Sequence, residues 1–493
     1  MAKKIAIVGA GPGGLTAGMI LAGKGFDVEI FEKEGAVGGR NAAIKLGEYT
    51  FDTGPTFLMM TFVMEEVFKM AGKDVKDYIE QVKLDPMYRL KFSDIEVLPT
   101  SDHAKMREQI AKIFPGNEKG FDEFLKKEKI RYDKMYPCLK VPYSALSSYF
   151  SKNLIKALPH LGLGQSIIQN LGSYFKPDKL KLSFTFQSKY LGMSAWECPA
   201  AFSIIPYIEH SFGIFHVKGG LNAISHGMSR AFVENGGKLR LNAKVEKIIN
   251  ENGTAKGVVL AGGEEVRADE VIINADFAYS MANLTEQKLA KYTKVRLDKM
   301  KYSCSTFMLY LGVDKLYDIP HHNVFFAEKY RENIEDIFHN GRLTEDMSFY
   351  IQNASRTDPT LAPKGHSTIY VLVPVANKSF PIDWAVEKSK YEEKVLAAIE
   401  SRTELKDLRA HIKVKKVITP VDWQDSYNVY NGATFNLAHN LGQMLYFRPR
   451  NKFECLENCY LVGGGTHPGS GLPTIYESGR ISSEMIMKKY KVI

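Results

Sequence analysis

Residues 5–32 read IAIVGAGPGGLTAGMILAGKGFDVEIFE, and this stretch decides the fold of the first part of the chain. A short apolar run at 5–8 leads directly into Gly9-x-Gly11-x-x-Gly14, and an uncharged, helix-like segment follows. Gly9 permits a tight turn, Gly11 lets the backbone approach a diphosphate, and Gly14 lets the helix pack closely on a sheet. Free N–H groups at the start of that helix favour an anion. The pattern predicts an α/β, Rossmann-type dinucleotide-binding unit.

A second apolar run at 28–31 ends on Glu32, which completes the unit. A carboxylate at this position accepts hydrogen bonds from both hydroxyls of an adenosine ribose, and it repels a phosphate on that ribose. The sequence therefore argues against a phosphorylated dinucleotide. An ordinary strand–turn–helix without a ligand is a weaker interpretation. A signal peptide or membrane span over the uncharged residues 5–23 is rejected, because the glycines are spaced for a turn and the segment continues into a strand.

Composition is that of a large globular protein. The chain has 493 residues, of which 45% are hydrophobic and 25% charged, so two or three subdomains are expected. The formal charge is +9 without a basic cluster, so an anionic membrane surface is favoured as a partner and nucleic acid is not expected. Five scattered cysteines fit a reducing compartment. Cys455 and Cys459 are interpreted as structural thiols, and no metal site is predicted.

Two glycine-rich loops carry further candidate ligands. The Gly-Gly-Arg loop at 38–40 offers an arginine that can pair with a diphosphate, although a solvated arginine would give the same sequence. Residues 460–473 repeat the order strand, Gly-rich turn and helix without a following acid. We expect this turn to form a second backbone surface for the same ligand. His467 within it is interpreted as a hydrogen-bonding loop residue, and the adjacent His321 and His322 as solvated.

Taken together, these motifs indicate a family. Over essentially its whole length the chain resembles the bacterial-type carotenoid desaturases, the phytoene and dehydrosqualene (4,4'-diapophytoene) desaturases of the FAD-dependent amine oxidase-like superfamily. The matching segments are GAGPGGLTAG, FEKEGAVGGR, FDTGPT at 51–56, IIPYIEHSFGIFHVKGG at 204–220, LNAKVEKI at 241–248, NADF at 274–277, YSCSTFMLYLG at 302–312 and the C-terminal GTHPGSGLP. The segment at 204–220 and GTHPGSGLP are the most specific of these.

The resemblance implies a GR2-like flavoprotein fold with non-covalent FAD, which takes a hydride from a long polyene while a neighbouring carbon loses a proton. It places the diphosphate at the first glycine turn and Arg40, the ribose at Glu32, the adenine near Val245, and the flavin ring near 54–56 and 464–473. The implied cofactor-binding residues are Gly9, Gly11, Gly13, Gly14, Glu32, Lys33, Gly39, Arg40, Gly54, Pro55, Thr56, Val245, Asp276, Gly464, Thr466, Gly471, Leu472 and Pro473.

Three subdomains are predicted. Residues 141–191 interleave aromatic side chains with lysines and almost no acids, and here a helical core layer and a membrane-contact surface are equally favoured. Residues 300–450 alternate strand and helix patterns, which indicates a mixed sheet. The predicted ranges are 1–75, 217–290 and 455–493 for a discontinuous FAD-binding domain, 76–100 and 291–454 for a mixed-sheet substrate-binding domain, and 101–216 for a helical lid or membrane-contacting subdomain.

Glu209 is the predicted catalytic residue. It is an acid in the otherwise largely apolar run 200–217, and the Lys-Gly-Gly turn that follows should deliver it to the flavin side of a substrate tunnel. A buried carboxylate is costly unless it has a partner or a use. The hypothesis is that Glu209 stabilises the cationic polyene left by hydride departure, or accepts its proton. A structural role as partner of a nearby lysine or arginine explains the sequence equally well.

Two alternatives to a desaturase stay open at this point. The first is another FAD oxidoreductase on the same scaffold, such as an amine oxidase, a carotenoid oxygenase or a retinol-saturase-like reductase. The second is a non-catalytic relative that binds a prenyl chain or another lipid. Amine oxidases place an aromatic residue beside the C-terminal glycine turn, whereas this chain has Leu472-Pro473 there. Non-catalytic relatives lack the intact flavin-binding pattern, which this chain retains.

The substrate implied by the resemblance partitions into a bilayer, so peripheral contact with a membrane is expected. We expect a cytoplasmic protein on the inner face of the cell membrane, held by aromatic side chains and by lysines of the 141–191 stretch. The lysines are Lys152, Lys156, Lys176, Lys179, Lys181 and Lys189. A thirty-carbon polyene is slightly favoured over a forty-carbon one, because two of the matching segments look closest to the dehydrosqualene desaturases.

Overall fold

A parallel five-stranded sheet forms the centre of the dinucleotide-binding unit in the computed structural model, which describes residues 2–285 and 290–493. Its strands are, in order across the sheet, Cys459–Leu461, Glu270–Ile273, Lys4–Val8, Asp27–Phe31 and Lys238–Arg240. Every pairing between them is parallel. The first strand of the chain is thus the central strand. Residues 286–289, which the sequence analysis includes in the FAD-binding domain, lie outside the described residues.

Helix Pro12–Gly23 packs closely against its surroundings at Gly14 and Gly18, where no side chain intervenes. A Cβ on Gly14 would lie 2.3 Å from the Gly9 carbonyl oxygen, and one on Gly18 would lie 2.7 Å from the Ile30 side chain. Gly9 has a φ of +96°, a left-handed conformation that residues with side chains rarely adopt. The predicted strand, tight turn and closely packed helix are therefore confirmed.

Further elements surround this sheet. Helices Asn222–Glu234 and Leu472–Lys489 both contact the dinucleotide helix. A small antiparallel sheet shares an apolar cluster with the parallel sheet. Its three strands are Val245–Glu251, Thr254–Leu260 and Glu265–Arg267.

A mixed seven-stranded sheet forms the second large layer. Its strands, in order, are Ile412–Ile418, Ser305–Val313, Ser367–Val375, Phe349–Asn353, His322–Phe325, Arg89–Lys91 and Glu96–Val97. All neighbours are antiparallel except His322–Phe325 with Arg89–Lys91. Helix Trp384–Arg402 covers one face of the sheet. The other face is left for the cavity described below.

Shorter elements connect these layers. Two antiparallel strand pairs are Ala43–Leu46 with Tyr49–Asp52, and Gln81–Lys83 with Phe215–Val217. The remaining α-helices are Thr61–Met70, His103–Ile113, Glu118–Leu139, Lys152–Ala157, Ile167–Leu171, Asp178–Ser183, Ile204–Phe212, Phe277–Asn283, Lys294–Lys299, Tyr330–Glu335, Leu408–His411 and Pro420–Asp425. Within residues 2–285 and 290–493, no helix has both the length and the apolarity needed to cross a bilayer.

The aromatic stretch 141–191 is divided by the fold. Phe175 and Phe184 are 1% exposed and pack with Phe124 of helix Glu118–Leu139, so this part is helical core. Phe150, in contrast, is 79% exposed. The helical-core interpretation therefore holds for one part of the stretch, and the membrane-contact interpretation stays a prediction for the exposed part.

Candidate active site

One continuous cavity of about 1060 Å³ extends from the first glycine turn to the uncovered face of the seven-stranded sheet. The sheet contributes alternate side chains, such as Met308 on one strand and Tyr370 and Leu372 on its neighbour. Side chains alternate between the two faces of a strand, so the intervening Leu309 and Val371 pack under the covering helix instead. The cavity thus joins the dinucleotide-binding turn to an apolar wall.

Most predicted cofactor-binding residues lie together at one end of this cavity. They are Gly9, Gly11, Gly13, Glu32, Lys33, Gly39, Arg40, Gly54, Pro55, Thr56, Val245, Asp276, Gly464, Gly471, Leu472 and Pro473. Segments more than 400 residues apart in sequence meet here, because the first strand and Cys459–Leu461 belong to the same parallel sheet. The carboxyl ends of parallel strands are where such ligands bind.

Gly14 and Thr466 do not line the cavity, contrary to expectation. Gly14 faces the Gly9 carbonyl oxygen and makes room for the turn rather than for a ligand. Thr466 is 2% exposed, its N–H donates to Gly463, and its carbonyl oxygen accepts from Arg448 at 3.2 Å. Both residues therefore shape the turns that line the cavity from behind.

Glu32 is held rigidly at the end of its strand. Its carboxylate accepts hydrogen bonds from the backbone N–H groups of Ala10 at 2.8 Å and Glu34 at 3.0 Å, and its side chain is almost fully buried. Burial raises the pKa of Glu32, and the two backbone hydrogen bonds oppose that rise. Each carboxylate oxygen has further lone pairs, so the fixed group is suited to accept ribose hydroxyls.

Arg40 belongs to a partly buried polar group that the sequence did not reveal. Its guanidinium donates to the Thr434 carbonyl oxygen at 3.0 Å. With the Asn436 amide assigned so that its oxygen faces Arg40, that oxygen accepts from the guanidinium at 2.6 and 3.0 Å. The Asn436 amide nitrogen donates to Asp276 at 2.8 Å. Burial lowers the pKa of Arg40, and the charge of Asp276 opposes that shift. The arginine is thus positioned on the cavity wall, and its contact with a diphosphate stays a prediction.

Asn274, the first residue of the matching segment NADF, is a second cavity residue to which the sequence analysis assigned no role. Its amide donates to the carbonyl oxygens of Gly9 at 3.0 Å and Gly11 at 3.3 Å, and it lines the cavity. It fastens the first glycine turn to the end of strand Glu270–Ile273. The available signal was its place directly after a buried strand, since polar residues there reach the same edge of a parallel sheet.

The residues at this end of the cavity fit FAD. Gly11, the residue before helix Pro12–Gly23, has open space where a side chain would stand, apart from Asn274 at 3.1 Å. The backbone can therefore approach a diphosphate at the helix N-terminus. Glu32 lies at the correct distance along the chain for the ribose, and the C-terminal glycine turn closes the opposite side.

The other end of the cavity is apolar. It is lined by side chains from several distant segments, including Met59, Met60, Val63, Phe186, Leu191, Phe202, Ile204, Ile205, Ile208, Met308, Val324 and Leu372. No motif joins these residues in the sequence. Such a wall suits a long hydrocarbon, because every methylene that it removes from water contributes about 0.8 kcal/mol.

Glu209 lies behind this wall rather than on it, although it was expected on the flavin side of the tunnel. Ile208 lines the cavity, whereas Glu209 does not. The Glu209 carboxylate accepts from Tyr88 at 2.8 Å and from Gln187 at 2.6 Å. Burial raises its pKa to about 7, and these two hydrogen bonds oppose the rise. Its partners are neutral, so the expected lysine or arginine is replaced by an amide and a phenol, and its catalytic role stays a prediction.

One prediction about the histidines is confirmed and the other is wrong. His467 is a buried loop residue whose Nε2 donates to the Val141 carbonyl oxygen at 3.0 Å, as predicted. The prediction that His321 and His322 are solvated was wrong, since both are buried. His322 Nδ1 lies 2.6 Å from the hydroxyl of Tyr350, a residue of the cavity wall. An adjacent pair reads as polar surface in sequence, but here it begins a buried strand.

Sequence and structure comparisons agree with this geometry. The chain matches the flavin containing amine oxidoreductase family over residues 12–487. It is 52% identical to a 4,4'-diapophytoene desaturase (4,4'-diapolycopene-forming) of Methylomonas sp, over 99% of this chain and 96% of that relative. It is 37% identical to an all-trans-zeta-carotene desaturase of Myxococcus xanthus, over 99% of this chain and 94% of the relative.

A crystal structure of an oxidoreductase from Methanosarcina mazei matches with a TM-score of 0.63, over 98% of this chain and all of the other. The identity is 16%, so this likeness shows the fold alone. The mixed α/β architecture predicted from the sequence is confirmed by it. Together with the family match and the long relatives, these findings show that the chain belongs to the carotenoid desaturases of the flavin containing amine oxidoreductase family.

Proposed function

We propose that the chain is an FAD-dependent desaturase that introduces conjugated double bonds into 4,4'-diapophytoene, a linear thirty-carbon polyene. The observation that carries the proposal is the single cavity, which joins a dinucleotide cradle to an apolar wall. The thirty-carbon substrate is supported by the relative at 52% identity, whose name states that substrate. A forty-carbon polyene is the alternative, as in the relative from Myxococcus xanthus.

Different residues of the chain would bind the cofactor and align the substrate in such a reaction. When bound, FAD supplies the acceptor for the hydride. The first glycine turn and the following helix would hold its diphosphate, Glu32 would orient its ribose, and the lining residues of segments 54–56 and 464–473 would face its ring. The apolar wall aligns the polyene and keeps water away from the reacting carbons.

Expression in hosts that make either 4,4'-diapophytoene or phytoene tests this proposal. The expected result is a coloured, more conjugated product in the first host, read from visible absorption of the extracted pigment. The Gly11→Val variant is the matched control, because it is expected to lose FAD while keeping the fold. Colour in the phytoene host alone would mean that the substrate is the forty-carbon polyene. No colour in either host would reject the desaturase function.

We also propose that the protein collects its substrate by lying on a membrane. An exposed apolar patch supports this: Phe150 is 79% exposed, Phe447 and Leu146 58%, Leu441 57%, Ile155 52% and Leu158 44%. The two segments of the apolar patch meet where the rings of Tyr149 and Phe447 lie 6.3 Å apart. Met444, inside the second segment, lines the cavity, so the apolar patch adjoins the substrate wall.

The lysines beside the apolar patch are better placed for membrane contact than the lysines near residue 180. Lys152 and Lys156 are exposed beside it and make no ion pair among the residues that the structure describes. Lys179, in contrast, pairs with Asp94, and Lys181 pairs with Asp178 at 2.6 Å. A paired lysine contributes less to anionic headgroups than a free one, which contributes about 1 kcal/mol. The contact is therefore assigned to the apolar patch and its two free lysines rather than to the paired Lys179 and Lys181.

Co-sedimentation with anionic liposomes compares the two surfaces. The double variant Phe150→Asp/Phe447→Asp should bind at least about tenfold more weakly, since each burial of a phenylalanine is worth about 1.5–3 kcal/mol. The triple variant Lys176→Glu/Lys179→Glu/Lys181→Glu serves as the control and should bind like the parent. Loss of liposome binding in the triple variant alone would show that the lysines at 176–181, and not the apolar patch, contact the membrane.

A further inference from the structure

Lys189 is a charged side chain on the wall of the polyene end of the cavity. It lines the cavity beside Phe186, Leu191 and Cys304. Its ammonium group lies 4.8 Å from the centre of the Tyr330 ring. Among residues 2–285 and 290–493, no carboxylate comes within ion-pair distance of it, unlike Lys179 and Lys181. A hydrocarbon substrate would offer this amine no partner either.

The backbone ties Lys189 to the glycine turn at the other end of the cavity. The carbonyl oxygen of Leu191 accepts a hydrogen bond from His439 Nδ1 at 3.2 Å. The other ring nitrogen of His439 accepts from the Ser470 N–H, also at 3.2 Å. Ser470 belongs to the turn that lines the cavity around the predicted flavin ring. Lys189 is thus positioned where the apolar wall meets that turn.

The surroundings disfavour the charged form of the amine. Burial lowers the pKa of Lys189 to about 8. Neither neighbour carries a negative charge, since burial raises the pKa of the Cys304 thiol to about 12 and raises that of the Tyr330 phenol. A hydrocarbon that fills the cavity would remove remaining water from the amine and favour the neutral form further.

We propose that Lys189, as a neutral amine, accepts the proton that the polyene loses during desaturation. The inference rests on the proposed function. A hydride leaves one carbon for FAD, the C–H bond on the neighbouring carbon breaks, and its electron pair forms the new C=C bond. The proton forms an N–H bond on Nζ, so the polyene loses two electrons and FAD gains them. The ammonium that results faces the Tyr330 ring, which attracts a cation.

Glu209 does not line the cavity, so the proposed reaction needs another residue to accept the proton. A general base must come within hydrogen-bonding reach of the proton that it takes. Lys189 lines the cavity and Glu209 does not. The same experiment therefore separates the two residues.

The reductive half-reaction of the FAD-loaded enzyme tests the proposal. Under anaerobic conditions, bleaching of the flavin by added 4,4'-diapophytoene should be about 10²–10⁴-fold slower in Lys189→Met, the usual contribution of a general base. The parent rate should rise with pH through about 8 and then level off, whereas the variant should lack that rise. Small primary amines should restore the rate of Lys189→Ala in proportion to their basicity. Lys176→Met, an exposed lysine outside the cavity, is the matched control.

A readout independent of turnover follows from the amine itself. Competitive labelling of the FAD-loaded protein with a small apolar amine reagent, followed by mass spectrometry, reports the pH at which each lysine becomes reactive. Lys189 should become reactive near pH 8 and exposed lysines above pH ~10. The bound polyene should protect Lys189.

Three results would overturn the assignment. The first is flavin reduction in Lys189→Met as fast as in the parent. The second is a slow variant whose rate still rises with pH and is not restored by added amines, and the third is a Lys189 that becomes reactive at the same pH as exposed lysines. A slow Glu209→Gln beside a normal Lys189→Met would move the role to Glu209. In each case the parent still bleaches, so desaturation stands. A parent that no polyene reduces would reject the proposed function together with this inference.

Discussion

The two ends of the cavity are built in opposite ways. At the nucleotide end, backbone groups and a few fixed polar side chains converge from short, contiguous motifs, such as 9–14 and 464–473. At the polyene end, isolated apolar side chains come from at least five separate segments of the chain. The first end recognises charge and shape through hydrogen bonds, and the second excludes water. One end therefore depends on individual residues, whereas the other spreads its contribution over many.

This difference predicts how mutations behave. A backbone cradle has no spare contacts, so a single side chain in the path of the diphosphate removes binding altogether. An apolar wall tolerates the loss of a methylene, because its remaining contacts still exclude water. Single changes at the nucleotide end should thus have large effects on FAD, and single changes at the polyene end small effects on the substrate.

Gly11→Val should have the largest effect. Gly11 has a φ of −74°, which a valine can adopt, so the fold should survive. The new side chain would stand in the path of the diphosphate, and FAD affinity should fall at least about 100-fold, or roughly 3 kcal/mol. Flavin content of the purified protein and titration with FAD measure this.

Gly442→Ala is the matched control for Gly11→Val. It lies on an exposed segment where a Cβ meets no atom closer than 3.7 Å. Its FAD content should equal that of the parent. If Gly11→Val also binds FAD like the parent, the diphosphate does not cross the first glycine turn, and the comparison between the two ends fails.

Glu32→Ala should have the second largest effect. A hydrogen bond to a charged group contributes about 1.5–3 kcal/mol, so FAD affinity should fall roughly 10- to 150-fold. Glu34→Ala is a suitable control, because Glu34 is exposed and its backbone N–H to Glu32 is retained. Isothermal titration with FAD distinguishes the two variants, and equal affinities would remove Glu32 from the ribose site.

Ile208→Val should have the smallest effect. It removes one methylene from the apolar wall, which is worth about 0.8 kcal/mol, or about fourfold in polyene affinity. FAD content should not change, because Ile208 belongs to the other end of the cavity. The matched control is Ile130→Val, a 42% exposed position away from the cavity. A loss of FAD in Ile208→Val would mean that the two ends are not independent.

Sequence reasoning was reliable where a local pattern carries its own geometry. The order of strand, glycine turn and helix at 5–23 requires neighbouring residues to adopt one shape, so the cradle and the place of Glu32 could be predicted. His467, held between a threonine and a proline in a glycine turn, was likewise recognised as a loop residue that forms a hydrogen bond.

The reasoning failed where burial depends on distant parts of the chain. Lys189 was grouped with surface lysines, although it lines the cavity, and His321 and His322 were expected in solvent although a strand buries them. Glu209 was expected on the tunnel wall, but the helix Ile204–Phe212 turns Ile208 toward the cavity and leaves Glu209 with Tyr88 and Gln187. Polarity in a sequence does not tell which face of an element will be covered.

The sequence by itself therefore determined the dinucleotide cradle, because the cradle depends on contiguous residues whose conformation is set locally. The resemblance of its motifs to a known family implied FAD. Only the tertiary structure decided the apolar wall, the exposed apolar patch and the position of Lys189. Each of these depends on long-range packing, in which a seven-stranded sheet and a helical layer bring together side chains that share no motif. Burial, and with it the chemistry of a lysine or a carboxylate, is a property of that packing rather than of the residue.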